Sequence, residues 1–371
     1  MELVNATKLP AEYTVATDKT GREWLVAVAK GTYGIPDSPG GMPALLAEQV
    51  PPVMTDVFSG EPGFSAPLYE NDFALHKPRC DVLLNGSCHA PDGKPATLVP
   101  VGLRVGAMTK SFNVVGNRHW RSQLLSVSAS APEAFAVMPI SYDNAYGGVH
   151  APEEDPATHR WYLPNHVGRG FHPGTSARQL NGRPLPNTEE IAQPVSEPDG
   201  RYRPMAFGPM ARSWPQRLEW AGTYDDKWRA ETFPFLPADF DDRYFQSAPE
   251  DQQVDYLRGG EQVVLVHLSP RARIEFELPA LRIPFDFVYK DGRRSRMAGV
   301  VDTLVIEPDL GRFMLTVRAA QALRRSLHEL VCVEVGGVLP QRPNADGEEP
   351  EVVAKPHYRS LAELVRERRK S

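Results

Sequence analysis

Apolar residues recur with a strand-like period at both ends of the chain and lose any period between them. In the first stretch, Trp24–Thr32 (WLVAVAKGT), Asp81–Leu84, Thr97–Val105 and Lys110–Val115 are short and rich in β-branched residues, which predicts strands. Asp92-Gly93 reads as a turn, because both residues tolerate positive φ. In the second stretch, strands are predicted over Gln262–Leu268, Arg273–Leu278, Ile283–Tyr289, Val300–Ile306 and Arg312–Arg318, with turns at Asp291-Gly292 and Asp309-Leu310-Gly311. Ile274, Phe276 and Leu278 alternate with Glu275 and Glu277, so one face of that strand is buried and the other wet. Short strands with frequent turns predict a mainly β protein, its antiparallel sheets forming a sandwich or an open barrel. The two stretches share a layout of strand, Asp-Gly turn, strand and closing hairpin, as a duplicated β module would.

Between these β-rich halves, 1–138 and 262–340, lie residues 139–261, where neither period persists. Three of the six tryptophans, Trp214, Trp220 and Trp228, fall within 206–253 among many Asp and Arg residues. Disordered segments are poor in aromatics because they have no core to place them in. The middle is therefore expected to be an ordered, irregular layer over the sheets. After the second half, Ala320, Leu323, Leu327 and Leu330 have helical spacing and predict a helix over Ala319–Leu330. The family body is expected to span 1–340. An acidic, proline-rich linker and a short C-terminal helix follow over 341–371, the helix opened by the capping box Ser360-Leu361-Ala362-Glu363.

Charge changes the picture only by exclusion. With 41 Lys+Arg against 47 Asp+Glu the formal net charge is −6, and non-specific nucleic-acid binding needs clustered positive charge instead. Cys80, Cys88 and Cys332 are an odd set without a Cys-x-x-Cys pair, as expected of reduced thiols. The N-terminus lacks the basic start and apolar core of a signal peptide, and no apolar run approaches the ~20 residues that span a bilayer. A cytoplasmic bacterial protein without a membrane partner is the expectation.

Candidate chemistry is sparse. No phosphate loop, Gly-x-Ser-x-Gly elbow or His-Glu-x-x-His pair occurs, and Pro173 argues against a dinucleotide loop at Gly168-Arg169-Gly170. His150, His159, His166 and His172 lie close in sequence but match no zinc-ligand spacing. Asp225-Asp226 and Asp239-Phe240-Asp241-Asp242 would suit a glycosidase or a calcium site, yet Asp-rich turns more often bond their own backbone, and Arg229 and Arg243 stand by as partners. The three tryptophans read as a satellite core beneath a long loop, with an exposed sugar platform as the alternative. No metal, cofactor or catalytic residue is expected.

Longer phrases carry a resemblance. GTYDDKW, followed by FPFLPADFDDRYFQSAPEDQQ, is similar to the signature of the bacterial family called domain of unknown function 2169. In the family's order come Gly60-Glu61-Pro62-Gly63, Tyr69-Glu70-Asn71-Asp72, Lys77-Pro78, Asp81 to Gly86, Tyr142 to Gly148, Asn165 to Gly170 and Asp302 to Asp309. Members are encoded beside type VI secretion spike proteins. The resemblance thus implies a non-enzymatic adaptor or chaperone that helps load an effector protein onto the PAAR or VgrG spike. A β-sandwich carbohydrate-binding module, or a metal- or carboxylate-dependent hydrolase, is the alternative. Loops on a sheet scaffold carry specificity, which places the expected partner contacts at Tyr142, Asp143, Tyr146, Arg212 and Asp226, with Gly147-Gly148 shaping the loop.

Overall fold

The two longest strands, Glu23–Gly34 and Arg312–Ala322, come from opposite ends of the sequence and pair antiparallel along their whole length. A computed structural model describes residues 1–38, 40–122, 126–151 and 155–337, all inside one compact unit, Met1–Gly337. The expected linker and C-terminal helix over 341–371 lie outside the described residues.

Around the long pair a six-stranded sheet runs in the order Gln253–Val254, Cys80–Leu84, Val300–Glu307, Arg312–Ala322, Glu23–Gly34, Ala11–Thr17. A five-stranded sheet runs Thr188–Glu189, Met108–Val115, Leu98–Val105, Gln262–Val266, Arg273–Glu277. A four-stranded sheet runs Glu2–Asn5, Leu330–Val335, Pro284–Tyr289, Arg294–Ala298. All three send alternate side chains into one apolar core: Leu25, Leu304 and Phe313 from the first, Val101, Phe112 and Leu265 from the second, Phe285, Phe287 and Val333 from the third.

The protein is mainly β, with open sheets among the described residues and no closed barrel. Two features differ from the sequence pattern. First, the sheets are mixed. Cys80–Leu84 runs parallel to Val300–Glu307, and Glu2–Asn5 runs parallel to Leu330–Val335. Every large sheet takes strands from both ends of the chain, so the two β-rich halves interleave and do not stand as separate modules. Second, Ala319–Leu330 is not a helix. Ala319–Ala322 finish the long strand, and a single 3-10 turn follows at Leu327–Glu329. The pairing of Ala319 with Ala27 and Ala320 with Val26 satisfies their backbone groups, and tertiary context overrides the helical spacing.

The face of the six-stranded sheet away from the core is charged yet buried. Lys30, Asp81, Asp302, Thr316 and Arg318 emerge there, each almost without solvent contact. Such groups are tolerated only when paired and hydrogen-bonded. Lys30 Nζ meets Asp72 Oδ2 at 2.8 Å, and Arg318 Nη1 meets Asp302 Oδ2 at 3.2 Å. Asp81 is the hub: its carboxylate accepts from Lys77 Nζ at 2.7 Å, Gln246 Nε2 at 2.6 Å and the Ser247 amide at 2.9 Å. Burial pulls the Lys77 ammonium down, but the Asp81, Glu70 and Asp302 carboxylates outweigh it and hold its pKa above the ordinary value. Asp72, Lys77, Asp81, Gln246, Ser247 and Asp302 come from the phrases that carry the family resemblance, so part of that signature is an internal polar clasp between sheet and loop layer.

Candidate partner-contact surface

The middle layer is folded around buried rings. Tyr142 packs edge-on against Trp214 with ring centroids 4.9 Å apart, in a small apolar cluster with Ala66, Ala145, Ala206 and Ala211. Tyr146 sits in a second cluster with Trp120, Leu180, Leu185 and Tyr202, and its hydroxyl donates to the Gly200 carbonyl at 2.9 Å. Both tyrosines are interior residues that hold the loops in place. Burial pushes both hydroxyls far above the ordinary tyrosine range.

Gly147 and Gly148 have φ of 152° and 110°. A Cβ on Gly147 would lie 1.9 Å from the Asn165 carbonyl oxygen, and one on Gly148 would lie 2.7 Å from the Gly168 oxygen. Close backbone approach therefore requires glycine at both positions. It lets Tyr146–Gly147 pair in parallel with Arg169–Gly170, while buried Asn165 donates to the carbonyls of Tyr142 and Tyr146 at 2.8 and 3.1 Å. Asp143 is half-buried, and its carboxylate accepts from Ser59 Oγ at 2.7 Å and the Ala66 amide at 2.8 Å.

Arg212 joins a different cluster. It meets Asp56 at 3.1 Å and Glu70 at 3.0 Å, and Glu70 also holds the buried Arg217 at 2.6 Å. Asp226 stands apart on the short helix Asp226–Glu231, its side chain 97% exposed beside Arg229 at 3.2 Å. The structure thus brings Tyr142, Asp143, Tyr146 and the two glycines together as one framework, and leaves Arg212 and Asp226 at separate places.

Asp226 marks a surface that the sequence reading did not single out. Around it are exposed rings: Tyr224 at 52%, Phe233 at 66%, Phe235, and the half-buried Trp228. Tyr224 and Trp228 stack edge-on at 4.7 Å, Trp228 and Phe233 at 5.7 Å. The knob is braced. Asp225 caps its helix by accepting from the Trp228 amide at 2.8 Å, and Trp228 Nε1 donates to the Phe235 carbonyl at 2.9 Å. Asp239 ties its base by accepting from the Thr223 amide at 3.0 Å and hydroxyl at 2.7 Å. The phrase GTYDDKW…FPF shows that aromatics cluster here, but its irregular spacing does not separate these exposed rings from the buried Tyr142 and Trp214.

The tryptophans do not form one group. Trp214 is 1% exposed, Trp220 is half-buried beneath the Arg243 guanidinium 3.3 Å above its ring, and Trp228 belongs to the knob. This corrects the expectation of a single satellite core.

Asp241 holds Arg243 at 2.8 Å, and Asp242 meets His76 at 3.0 Å. Hydrogen bonds from the Arg243 side chain and amide hold the Asp241 carboxyl down to about 2. The histidines are divided: His150 and His172 meet edge-on at 6.2 Å, whereas His166 packs between Trp161 and Trp214. Among the described residues no group of three or more His, Cys, Asp or Glu is placed to hold a metal ion, and no helix is long and apolar enough to cross a membrane.

Fold and surface define a mixed-sheet β protein that presents a braced aromatic knob from an irregular loop layer. By sequence, residues 20–318 match the family DUF2169, described as an uncharacterized protein conserved in bacteria, and the chain belongs to it. No curated protein and no solved structure matches the chain.

Proposed function

We propose that this protein is a non-enzymatic, cytoplasmic adaptor or chaperone that binds an effector protein, or the PAAR or VgrG spike protein, during type VI secretion loading. The carrying observation is the exposed, rigidly braced aromatic group of Tyr224, Trp228 and Phe233. Contiguous exposed apolar surface marks interaction sites, and aromatics anchored among charged residues are the usual energetic centre of a protein interface. Asp225, Asp226, Lys227 and Arg229 supply the polar rim here.

The resemblance of the signature phrases to those of spike-linked proteins supplies the partner class. A sugar platform would need coplanar rings, but these stand at 70° and 87° to each other. The candidate acids are committed to caps and ion pairs, which favours the adaptor reading over a hydrolase. Co-purification with the effector, PAAR and VgrG products of its own gene cluster is the test. Stable capture of one of them supports the proposal; no capture by folded protein, together with intact effector delivery after deletion of the gene, removes it.

A further inference from the structure

Four arginines from three parts of the chain wall one small pocket. The pairing of Trp24 with Ala322 sets the start of Glu23–Gly34 against the end of Arg312–Ala322, so Arg22 and Arg324, just beyond these strand ends, line the same hollow. Ser295 Oγ donates to Gln321 Oε1 at 2.6 Å, which ties the edge strand Arg294–Ala298 to the same place and adds Arg293 and Arg294 to the wall. The pocket holds about 320 Å³, at the lower end of the range for small-molecule sites. Among the described residues its lining contains no Asp or Glu.

All four arginines are exposed, yet only two of their charges are offset. Arg293 Nε donates to Asp291 Oδ2 at 2.7 Å, and Arg294 meets the two oxygens of Glu334 at 3.0 and 3.2 Å. Arg22 donates Nε to the Leu323 carbonyl at 2.9 Å and lies 6.0 Å from the Trp24 ring, contacts that leave its charge uncompensated. Asp18 and Glu329 accept from the backbone amides of Arg22 and Arg324, at 3.1 and 2.6 Å. Among the described residues neither acid forms an ion pair with these two side chains, and the Arg324 guanidinium makes no hydrogen bond.

Like charges gathered in a concavity raise the local potential and draw in an opposite ion. Two uncompensated guanidiniums with two more beside them call for a double negative charge carrying several acceptor oxygens, and a phosphoryl group supplies both. A single carboxylate would occupy one guanidinium fork and leave the second charge over. A nucleic-acid backbone needs a stripe of positive charge along its track, which one small pocket on a chain of net charge −6 does not provide.

We propose that this pocket binds a phosphoryl dianion, as inorganic phosphate or as the head of a small phosphomonoester, with Arg22 and Arg324 supplying the two uncompensated charges. Arg293 and Arg294, held by their own acids, form the remaining basic wall. The pocket shares no residue with the aromatic knob, and its occupancy does not depend on the adaptor reading.

Calorimetric titration of the full-length protein at pH 8 with inorganic phosphate, glycerol 3-phosphate and acetate tests it, the first two being dianions there and the third a monoanion. Both phosphates should bind one site at least about tenfold more tightly than acetate, and the tighter of the two identifies the occupant. Arg324→Ala and Arg22→Ala should each weaken phosphate at least about fivefold, less than the step for a buried charged hydrogen bond because both side chains are exposed. Arg324→Ala removes a side chain without a partner and should keep the melting temperature. Arg325→Ala deletes the same charge one residue outside the lining and should change affinity by less than about twofold. No phosphate binding, equal affinity for phosphate and acetate, undiminished binding in folded Arg324→Ala, or an equal loss in Arg325→Ala would overturn the assignment.

Discussion

Lys77 and Asp81 meet at 2.7 Å with both side chains shut away from solvent, and the contact ties the segment leading into Cys80–Leu84 onto that strand of the six-stranded sheet. One carboxylate here collects the Lys77 ammonium, the Gln246 amide and the Ser247 amide and hydroxyl. Removing it would strand all of these donors in a buried place. Asp81→Ala is expected to cost about 3–5 kcal/mol in denaturant unfolding, the range for breaking a buried pair by deleting one partner. A loss below about 1 kcal/mol would show that water replaces the carboxylate without difficulty.

The tryptophans separate by burial. Trp214→Ala removes a fully enclosed ring packed on Tyr142 and should cost about 3–5 kcal/mol. Trp220, half-exposed with Arg243 over its face, should cost less than about 2 kcal/mol when cut to Ala. Paired melting curves check the order, and equal losses would contradict it.

Glycines offer a sharper contrast. Gly147→Ala would drive a methyl group into the Asn165 carbonyl and should prevent stable folding of the Tyr142–Gly170 region. Gly174→Ala, with φ of 64° but nothing within 4 Å of the new methyl, carries only the left-handed backbone penalty of about 1–2 kcal/mol. Circular dichroism and near-ultraviolet signals on the two variants distinguish clash from strain.

Strand positions were legible because β-branched runs and Asp-Gly turns act locally: Arg273–Glu277, Pro284–Tyr289 and Val300–Glu307 fall where the pattern puts them. Their partners were not legible. Nothing local in Cys80–Leu84 announces that it runs parallel to Val300–Glu307, more than two hundred residues away. The same limit hid the roles of the tyrosines. Tyr142 and Tyr146 look like contact residues in an irregular segment, yet long-range packing against Trp214 and Tyr202 makes them interior. Tyr224 and Phe233 looked equally ordinary, yet they stand 52% and 66% exposed.

His172 gives the acid limb of stability. Burial, with smaller contributions from Arg183 and His150, holds its pKa down to about 4, against 6.5 for the free side chain. Between these values the unfolded chain binds more protons than the folded one, so its contribution is complete above pH 6.5 and is lost as pH falls toward 4. His172→Gln should therefore show a smaller drop in melting temperature between pH 6.5 and 4 than the parent protein. An identical drop would assign the acid sensitivity elsewhere.

Arg212 is a poor place to test partner binding, because Arg212→Glu would set like charges against Asp56 and Glu70. Asp226→Arg, at an almost fully exposed side chain whose pair with Arg229 is itself on the surface, is expected to leave folding intact. It should weaken partner capture by a few-fold through the rim of the knob, with the melting temperature unchanged.

The central claim is that the knob is where a type VI partner protein binds. The direct measurement is the affinity of the purified chain for the effector or spike protein it co-purifies with, compared with a Trp228→Ala, Phe233→Glu double variant of matched thermal stability. Loss of both rings should raise Kd by at least about thirtyfold, which corresponds to a hot-spot contribution of 2 kcal/mol or more. Unchanged affinity in the folded double variant would contradict the account.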